Sequence, residues 1–270
     1  MAMKNGERDA KSAKIERRFA RSEAAPVSLT RGSRAYSPPI LVPRLIFIAP
    51  LPYQAILFDC DGVIADSEAS WNEIDRVHLA HYGVPDYRGE LKEHVIGKSF
   101  ALSDGFYRDH FNIDATVEEM VEQRTGVAAQ FYAEQIPVFE HVHEVLLKLK
   151  SMNLKLALAT SSVSRLITPF LQRHDIEKYF DAIITGEMVQ NGKPHPDIYL
   201  LAAEKCGVEA KNSIVIEDAL AGLQAGRAAG ALTIAIPDAR WLDPKLFEGQ
   251  ADHIVSQLTD VVPLVRSLLD

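Results

Sequence analysis

The stretch Ala55-Ile56-Leu57-Phe58-Asp59-Cys60-Asp61-Gly62-Val63-Ile64-Ala65 decides how the rest of the chain is read. Four apolar residues, Ala55 to Phe58, run without a polar break, the pattern of a strand buried on both faces of a parallel sheet. The run stops at Asp59, and Asp61 follows two places on, just ahead of Gly62. An acid at the C-terminal end of such a strand stands at the carboxyl edge of the sheet, where open α/β folds bind ligands. Gly62 permits a sharp turn because it carries no Cβ. Two carboxylates this close repel each other unless a cation or a shared proton lies between them, and a divalent metal is the simplest resolution.

Downstream of this stretch the pattern is helical. Residues 66–82 carry Trp71, Ile74, His78 and Tyr82 near one stripe, closed by Gly83 and Pro85. Further helices are predicted over residues 88–95, 103–111 and 117–135, the last ended by Pro137. No strand-like run interrupts residues 66–137, which read as an all-helical insert.

From Glu140 onward, strand alternates with helix. Helices are predicted over residues 142–149, 164–174, 196–206, 220–229 and 260–269, and strands over 155–159, 182–185, 214–216 and 232–236. That alternation implies an α/β fold, a doubly wound parallel sheet with right-handed crossovers. The domain boundaries follow: residues 53–65 and 138–270 make the core, 66–137 the insert, and 1–52 an extension.

The extension differs in composition. Up to Arg44 it holds ten basic residues against four acidic ones, so it carries +6 while the remainder of the chain carries −14. Few apolar residues precede Ile40 and five prolines crowd its end, which reads as a disordered basic tail. Arg17-Arg18 suggests a twin-arginine signal, but residues 22–37 hold no continuous apolar region. An organellar transit peptide stays open, with the four acids against it. The apolar run at residues 45–51 is too short to span a bilayer. A net charge of −8 argues against nucleic acid or an anionic membrane as partner. Two cysteines, Cys60 and Cys206, exclude a disulfide framework and fit a reducing, cytoplasmic setting. A monomer is the default expectation.

Chemistry-bearing groups recur at the predicted strand ends. Residues 155–159 deliver Thr160, Ser161 and Ser162, which form either an anion seat at a helix start or an ordinary cap. Residues 214–216 deliver Glu217 and Asp218, a second acid pair or a cap for the helix that follows. Between them, Gly192-Lys193-Pro194-His195-Pro196 holds a lysine in a rigid loop.

In this order the four elements resemble the haloacid dehalogenase (HAD) superfamily. Its motifs stand here as DCDGV at residues 59–63, ALATSS ending a strand at Thr160, GKPHPDIY around Lys193, and IEDALAG around Asp218. The resemblance covers residues 53–270, and the insert is similar to the family's helical C1 cap over a Rossmann-like core. The most similar members are sugar-phosphate phosphatases and β-phosphoglucomutase. The resemblance implies a Mg²⁺-dependent phosphatase acting on a small phosphomonoester, a sugar phosphate, through an aspartyl-phosphate. Asp59 is then the nucleophile and Asp61 the general acid and base. Asp59, the Asp61 carbonyl and Asp218 hold Mg²⁺, with Glu217 ligating directly or through a water. Thr160, the Ser161 N–H and Lys193 hold the phosphoryl oxygens.

The dehalogenating branch needs no acid at the second position, and Asp61 is present. A non-catalytic binding module would be expected to have lost at least one of Asp59, Asp61, Lys193 or Asp218, and all four are there. A β-phosphoglucomutase-like mutase is the alternative enzyme. The resemblance puts Phe100 where the mutase has a second-phosphate arginine, and Trp71 where it has a histidine. Lys98, one place from that arginine position, is a candidate substitute. Glu68 of the DSE run, at the cap hinge, is a candidate substrate contact. His78, His81 and His94 are candidate cap contacts, with solvent-facing positions the commoner reading.

Overall fold

The computed structural model describes residues 52–95 and 99–270, so the predicted basic tail, apart from Pro52, and Lys98 lie outside the described residues. Six strands, β1 (Ala55–Phe58), β2 (Lys155–Ala159), β3 (Ala182–Ile184), β4 (Ser213–Glu217), β5 (Leu232–Ala235) and β6 (His253–Ile254), form one sheet in the order β3-β2-β1-β4-β5-β6. Every pair is parallel. β1 is central because all four of its residues are apolar and buried, which suits a strand covered on both faces. The strand order reverses beside β1, so a crevice opens at the carboxyl ends of β1, β2 and β4.

Alternation along each strand sorts the two faces. Ile56 and Phe58 join Leu156, Leu158, Ile214 and Ile216 in one apolar layer, covered by α5 (Val142–Ser151), α6 (Ser164–Arg173) and α9 (Val261–Leu269). Ala55 and Leu57 join Ala157, Ala159 and Val215 in the other, against α7 (Asp197–Lys205) and α8 (Leu220–Ala228). The second layer is built largely of alanine, so α7 and α8 approach the sheet closely. At Gly226 of α8 an added Cβ would come within 3.0 Å of Val215 and 3.1 Å of Thr233.

Between β1 and β2 come α1 (Glu68–His81), α2 (Lys92–Val95), α3 (Phe100–Phe111) and α4 (Val117–Glu134). The chain enters and leaves this helical segment through two adjacent strands of backbone. The Asp66 N–H donates to the Pro137 carbonyl at 3.0 Å and the Phe139 N–H to the Ile64 carbonyl at 3.0 Å. α4 also packs on α6 of the core.

Three local differences from the sequence expectation have plain causes. The predicted helix over 88–95 forms only at α2, because Gly89 takes φ +89°, outside right-handed helical backbone. α3 begins three residues early because Ser99 caps it, its Oγ accepting from the Leu102 N–H at 3.4 Å. β6 is a two-residue edge strand, too short for any periodicity to reveal.

A buried ion cluster ties the helical segment together. The guanidinium of Arg124 on α4 donates to Asp75 of α1 and, at 3.1 Å, to Asp104 of α3. The Tyr107 hydroxyl donates to Asp75 at 3.0 Å, and His78 lies 3.3 Å from Asp104. His78 is therefore fully buried in a polar network, not a solvent-facing residue or a cap contact, because a neighbouring helix supplies an acid partner. Burial raises the Asp75 pKa and Arg124 opposes that rise. One guanidinium thus serves two carboxylates that water does not reach. Replacing Arg124 with Met is expected to destabilise the fold by about 3–5 kcal/mol by removing the guanidinium that both buried acids share. A lower urea midpoint with an unchanged m-value would register that loss.

Candidate active site

β1, β2 and β4 end together, and each delivers its polar residues to the same edge. After β1 the backbone curls into a tight loop in which the Cys60 carbonyl accepts from the N–H groups of Ile64 and Ala65, both at 2.8 Å. Gly62 sits in this loop at φ +80°, and a Cβ there would fall 1.9 Å from Asp218 Oδ2. Glycine is required on both counts: the left-handed backbone, and the close approach of the Asp218 carboxylate.

Lys193 binds the elements to each other. Its loop contains a cis Lys193-Pro194 peptide bond, and its side chain is 8% exposed. The ammonium donates to Asp59 Oδ1, to Glu217 Oε1 at 2.7 Å and to the Ala159 carbonyl at 3.1 Å. One side chain therefore touches the ends of all three central strands. Glu217 is itself fully engaged. Its Oε1 also accepts from the Tyr199 hydroxyl at 2.7 Å, and its Oε2 accepts from the N–H groups of Asp218 and Ala219, each at 3.1 Å. Glu217 thus caps the turn into α8, the second of the two roles its sequence position allowed.

Asp61 is held quite differently. Ser67 donates to its Oδ1 at 2.8 Å, Tyr132 to the same oxygen, and Ser162 to its Oδ2 at 3.0 Å. These hydroxyls come from the hinge, the last turn of α4 and the loop after β2. Two carboxylates two residues apart thus occupy different surroundings, one gripped by an ammonium and the other by three neutral donors. Burial beside Asp61 pushes the Tyr132 phenol well above its ordinary pKa, which keeps it protonated as a donor.

Charge at the site is unbalanced. Oxygens of Asp59, Glu217 and Asp218 lie within 4.8 Å of one another. Burial, with Glu217 and Asp61 nearby, pushes Asp59 up to about 8 in spite of Lys193. Burial and the Glu217 and Asp59 charges raise Asp218 well above the carboxylate range. Burial alone would lower Lys193, but Asp59 and Glu217 outweigh it and hold the ammonium charged. A single ammonium cannot balance these three clustered acids. An all-oxygen donor set with surplus negative charge suits a hard divalent cation such as Mg²⁺.

The remaining sequence candidates fall as follows. Thr160 is buried, and its Oγ1 accepts from the Ser162 N–H at 3.0 Å. Ser161 is exposed at the tip of the same loop. Glu68 opens α1 beside the hinge and lies 3.5 Å from Lys92. His81 and His94 are exposed on the helical segment. Cys60 is buried between the two acids, and burial there raises its thiol pKa far from reactivity. Ser67 lies in the DSE run and Tyr199 closes the GKPHPDIY motif, but the sequence assigns neither a role. Tyr132, 71 residues from Asp61, gives no signal in sequence beyond its place on an apolar helix stripe.

Comparison with known proteins shows the family. The pattern of the haloacid dehalogenase-like hydrolases matches residues 56–236. A phosphorylated carbohydrates phosphatase from Thermotoga maritima is 34% identical over 177 residues, covering 66% of this chain and 82% of that protein. Hexitol phosphatase B of Escherichia coli is 30% identical over 190 residues, 70% of this chain and 85% of that protein. Among solved structures, a putative β-phosphoglucomutase from Thermotoga maritima superposes with a TM-score of 0.67 at 30% identity, covering 80% of this chain and all of that one. With the matched region spanning Asp59, Lys193 and Asp218, the chain belongs to the haloacid dehalogenase-like hydrolases.

Proposed function

We propose that this protein is a Mg²⁺-dependent phosphatase that hydrolyses a small phosphorylated carbohydrate through an aspartyl-phosphate on Asp59. The observation that carries the reading is the contrast between Asp59, bonded to the Lys193 ammonium, and Asp61, held by three hydroxyls two residues away. A nucleophile and a proton donor need such different settings.

In this reading Asp59 attacks phosphorus and the P–O bond to the leaving alcohol breaks. Asp61 gives its proton to that departing oxygen, then takes one from the water that hydrolyses the aspartyl-phosphate. Ser67, Tyr132 and Ser162 hold Asp61 in the line of transfer. Lys193, the Thr160 hydroxyl and the Ser161 N–H receive the phosphoryl oxygens, where the transition state spreads its charge. Asp59, Asp218 and the Asp61 carbonyl would hold Mg²⁺, which when bound supplies positive charge to those oxygens. Both oxygens of Glu217 already have donors, which favours a role in fixing Lys193 over direct ligation.

The helical segment acts as the cap over the leaving group, with the paired backbone at Ile64–Phe139 and Asp66–Pro137 as its hinge. A mutase would need a clamp for a second phosphate. Phe100 packs edge-on to Trp71 at 5.7 Å, and the Arg124 guanidinium over Phe100 is already engaged by Asp75 and Asp104. The names of the two curated relatives likewise favour hydrolysis of a carbohydrate phosphate.

Asp59→Asn is expected to abolish release of phosphate from p-nitrophenyl phosphate, and Asp61→Asn to lower kcat by about 10²–10⁴-fold, with circular dichroism unchanged. Retained turnover in Asp59→Asn would overturn the nucleophile assignment. Chelation should abolish activity and Mg²⁺ restore it.

The acid cluster also predicts a pH dependence in the metal-free protein. Asp59 is raised from 3.8 to about 8 on folding, so the folded state binds more protons across that window. Stability contributed by this group is present at low pH and is lost as pH rises toward 8. Melting temperature without metal should therefore fall between pH 5.5 and 8, and Mg²⁺ should raise it more at pH 8 than at pH 5.5.

A further inference from the structure

A second polar cluster lies beside Asp61, on the side of the cap. Ser67, which holds Asp61, is followed directly by Glu68 at the start of α1. Glu68 Oε2 lies 3.5 Å from Lys92 Nζ on α2. The Lys92 ammonium stands 4.4 Å from the centre of the Trp241 ring, on the core loop that follows β5. That loop is anchored to the hinge one residue earlier, where Arg240 pairs with Asp66 at 2.7 Å and with Asp238 at 2.6 Å. Hinge, cap and core thus meet around one buried ammonium, whose carboxylate partner, Glu68 Oε2, leaves at least one of its three N–H groups uncommitted.

The cluster adjoins the reacting groups through Ser67, whose hydroxyl holds Asp61 and whose next residue is Glu68. Both Glu68 and Lys92 are about three-quarters buried, at 25% and 23% side-chain exposure, while Trp241 keeps 39% exposed. An ammonium, a carboxylate and a partly exposed indole therefore meet at the hinge, directly after the serine that holds the proton donor.

We propose that Glu68, Lys92 and Trp241 form the leaving-group subsite and select a neutral polyol over an anionic leaving group. The proposal rests on the phosphatase reading above and names the substrate class within it. Hydroxyls both donate and accept, so one polyol can bond Lys92 through its oxygens and Glu68 through its protons. The indole face covers the C–H face of the same sugar, as aromatic side chains do when one side is apolar and the other wet. A carboxylate or second phosphate meets a different site. The single positive charge is already paired with Glu68, and the catalytic acids repel a further anion. Trp241 reaches the subsite only when the cap is closed on the core, so the leaving group itself favours closure.

The experiment compares kcat/KM for glucitol 6-phosphate and for phosphoglycolate, with p-nitrophenyl phosphate as reference, in the wild type and in Glu68→Gln, Lys92→Met, Trp241→Ala and Trp241→Phe. The wild type is expected to prefer the polyol phosphate. Glu68→Gln unpairs Lys92 and should move the ratio toward phosphoglycolate by about tenfold or more. Lys92→Met should move it the other way, because it leaves the Glu68 charge facing the anion. Trp241→Ala should raise KM for the polyol more than it lowers kcat, and Trp241→Phe should recover most of that loss. A wild-type preference for phosphoglycolate, or a ratio unmoved in both Glu68→Gln and Lys92→Met, overturns the subsite. Absence of Mg²⁺-dependent turnover of all three substrates by the wild type overturns instead the phosphatase reading beneath it.

Discussion

One ammonium among three clustered carboxylates governs this molecule. Lys193 reaches from a loop between β3 and α7 to bond the ends of β1, β2 and β4 through Asp59, the Ala159 carbonyl and Glu217. The contact does two things. It draws three strand ends into register at the edge where the sheet order reverses, and it leaves the acid cluster short of positive charge. In the proposed reaction a hard divalent cation would meet that deficit, supplying the positive charge that Lys193 alone does not.

Packing supports this arrangement at some distance. Gly62 and Gly222 are both placed where a Cβ would strike an acid of the cluster, 1.9 Å from Asp218 and 1.6 Å from Glu217 respectively. The backbone thus approaches the carboxylates as closely as chemistry allows. On the opposite side, Tyr199 of the alanine-rich layer hydrogen-bonds Glu217 and lies 5.0 Å beneath the Lys193 ammonium. The core therefore holds the acids rigidly, while exposed polar groups of the loops are left to meet a ligand.

Asp61 links the core to the helical segment. Its three hydroxyl donors come from the hinge, from α4 and from the loop after β2, so its position depends on how the segment sits on the core. The Arg124 cluster ties α4, which carries Tyr132, to α1 and α3. In the proposed reaction this makes proton transfer conditional on closure, and the Lys92–Trp241 contact across the same gap belongs to the same closed arrangement.

Much of the architecture was legible because its signals are local. Buried strands such as residues 55–58 and 155–159 are continuous apolar runs, and an acid or hydroxyl that ends such a run must appear at the carboxyl edge. The position of Asp59, Thr160 and Asp218 on one edge therefore followed from periodicity and chain order. Where local rules misled, a single residue was responsible, as when Gly89 kept the chain from starting α2 early. What only the tertiary structure decided were the pairings between distant residues: Tyr132 on Asp61, Arg124 between Asp75 and Asp104, Lys92 over Trp241, and His78 buried instead of exposed. The physical reason is that a side chain's partner is set by which helices pack together, and helix packing depends on shape and burial summed over many residues, none of which announces its neighbour in the sequence.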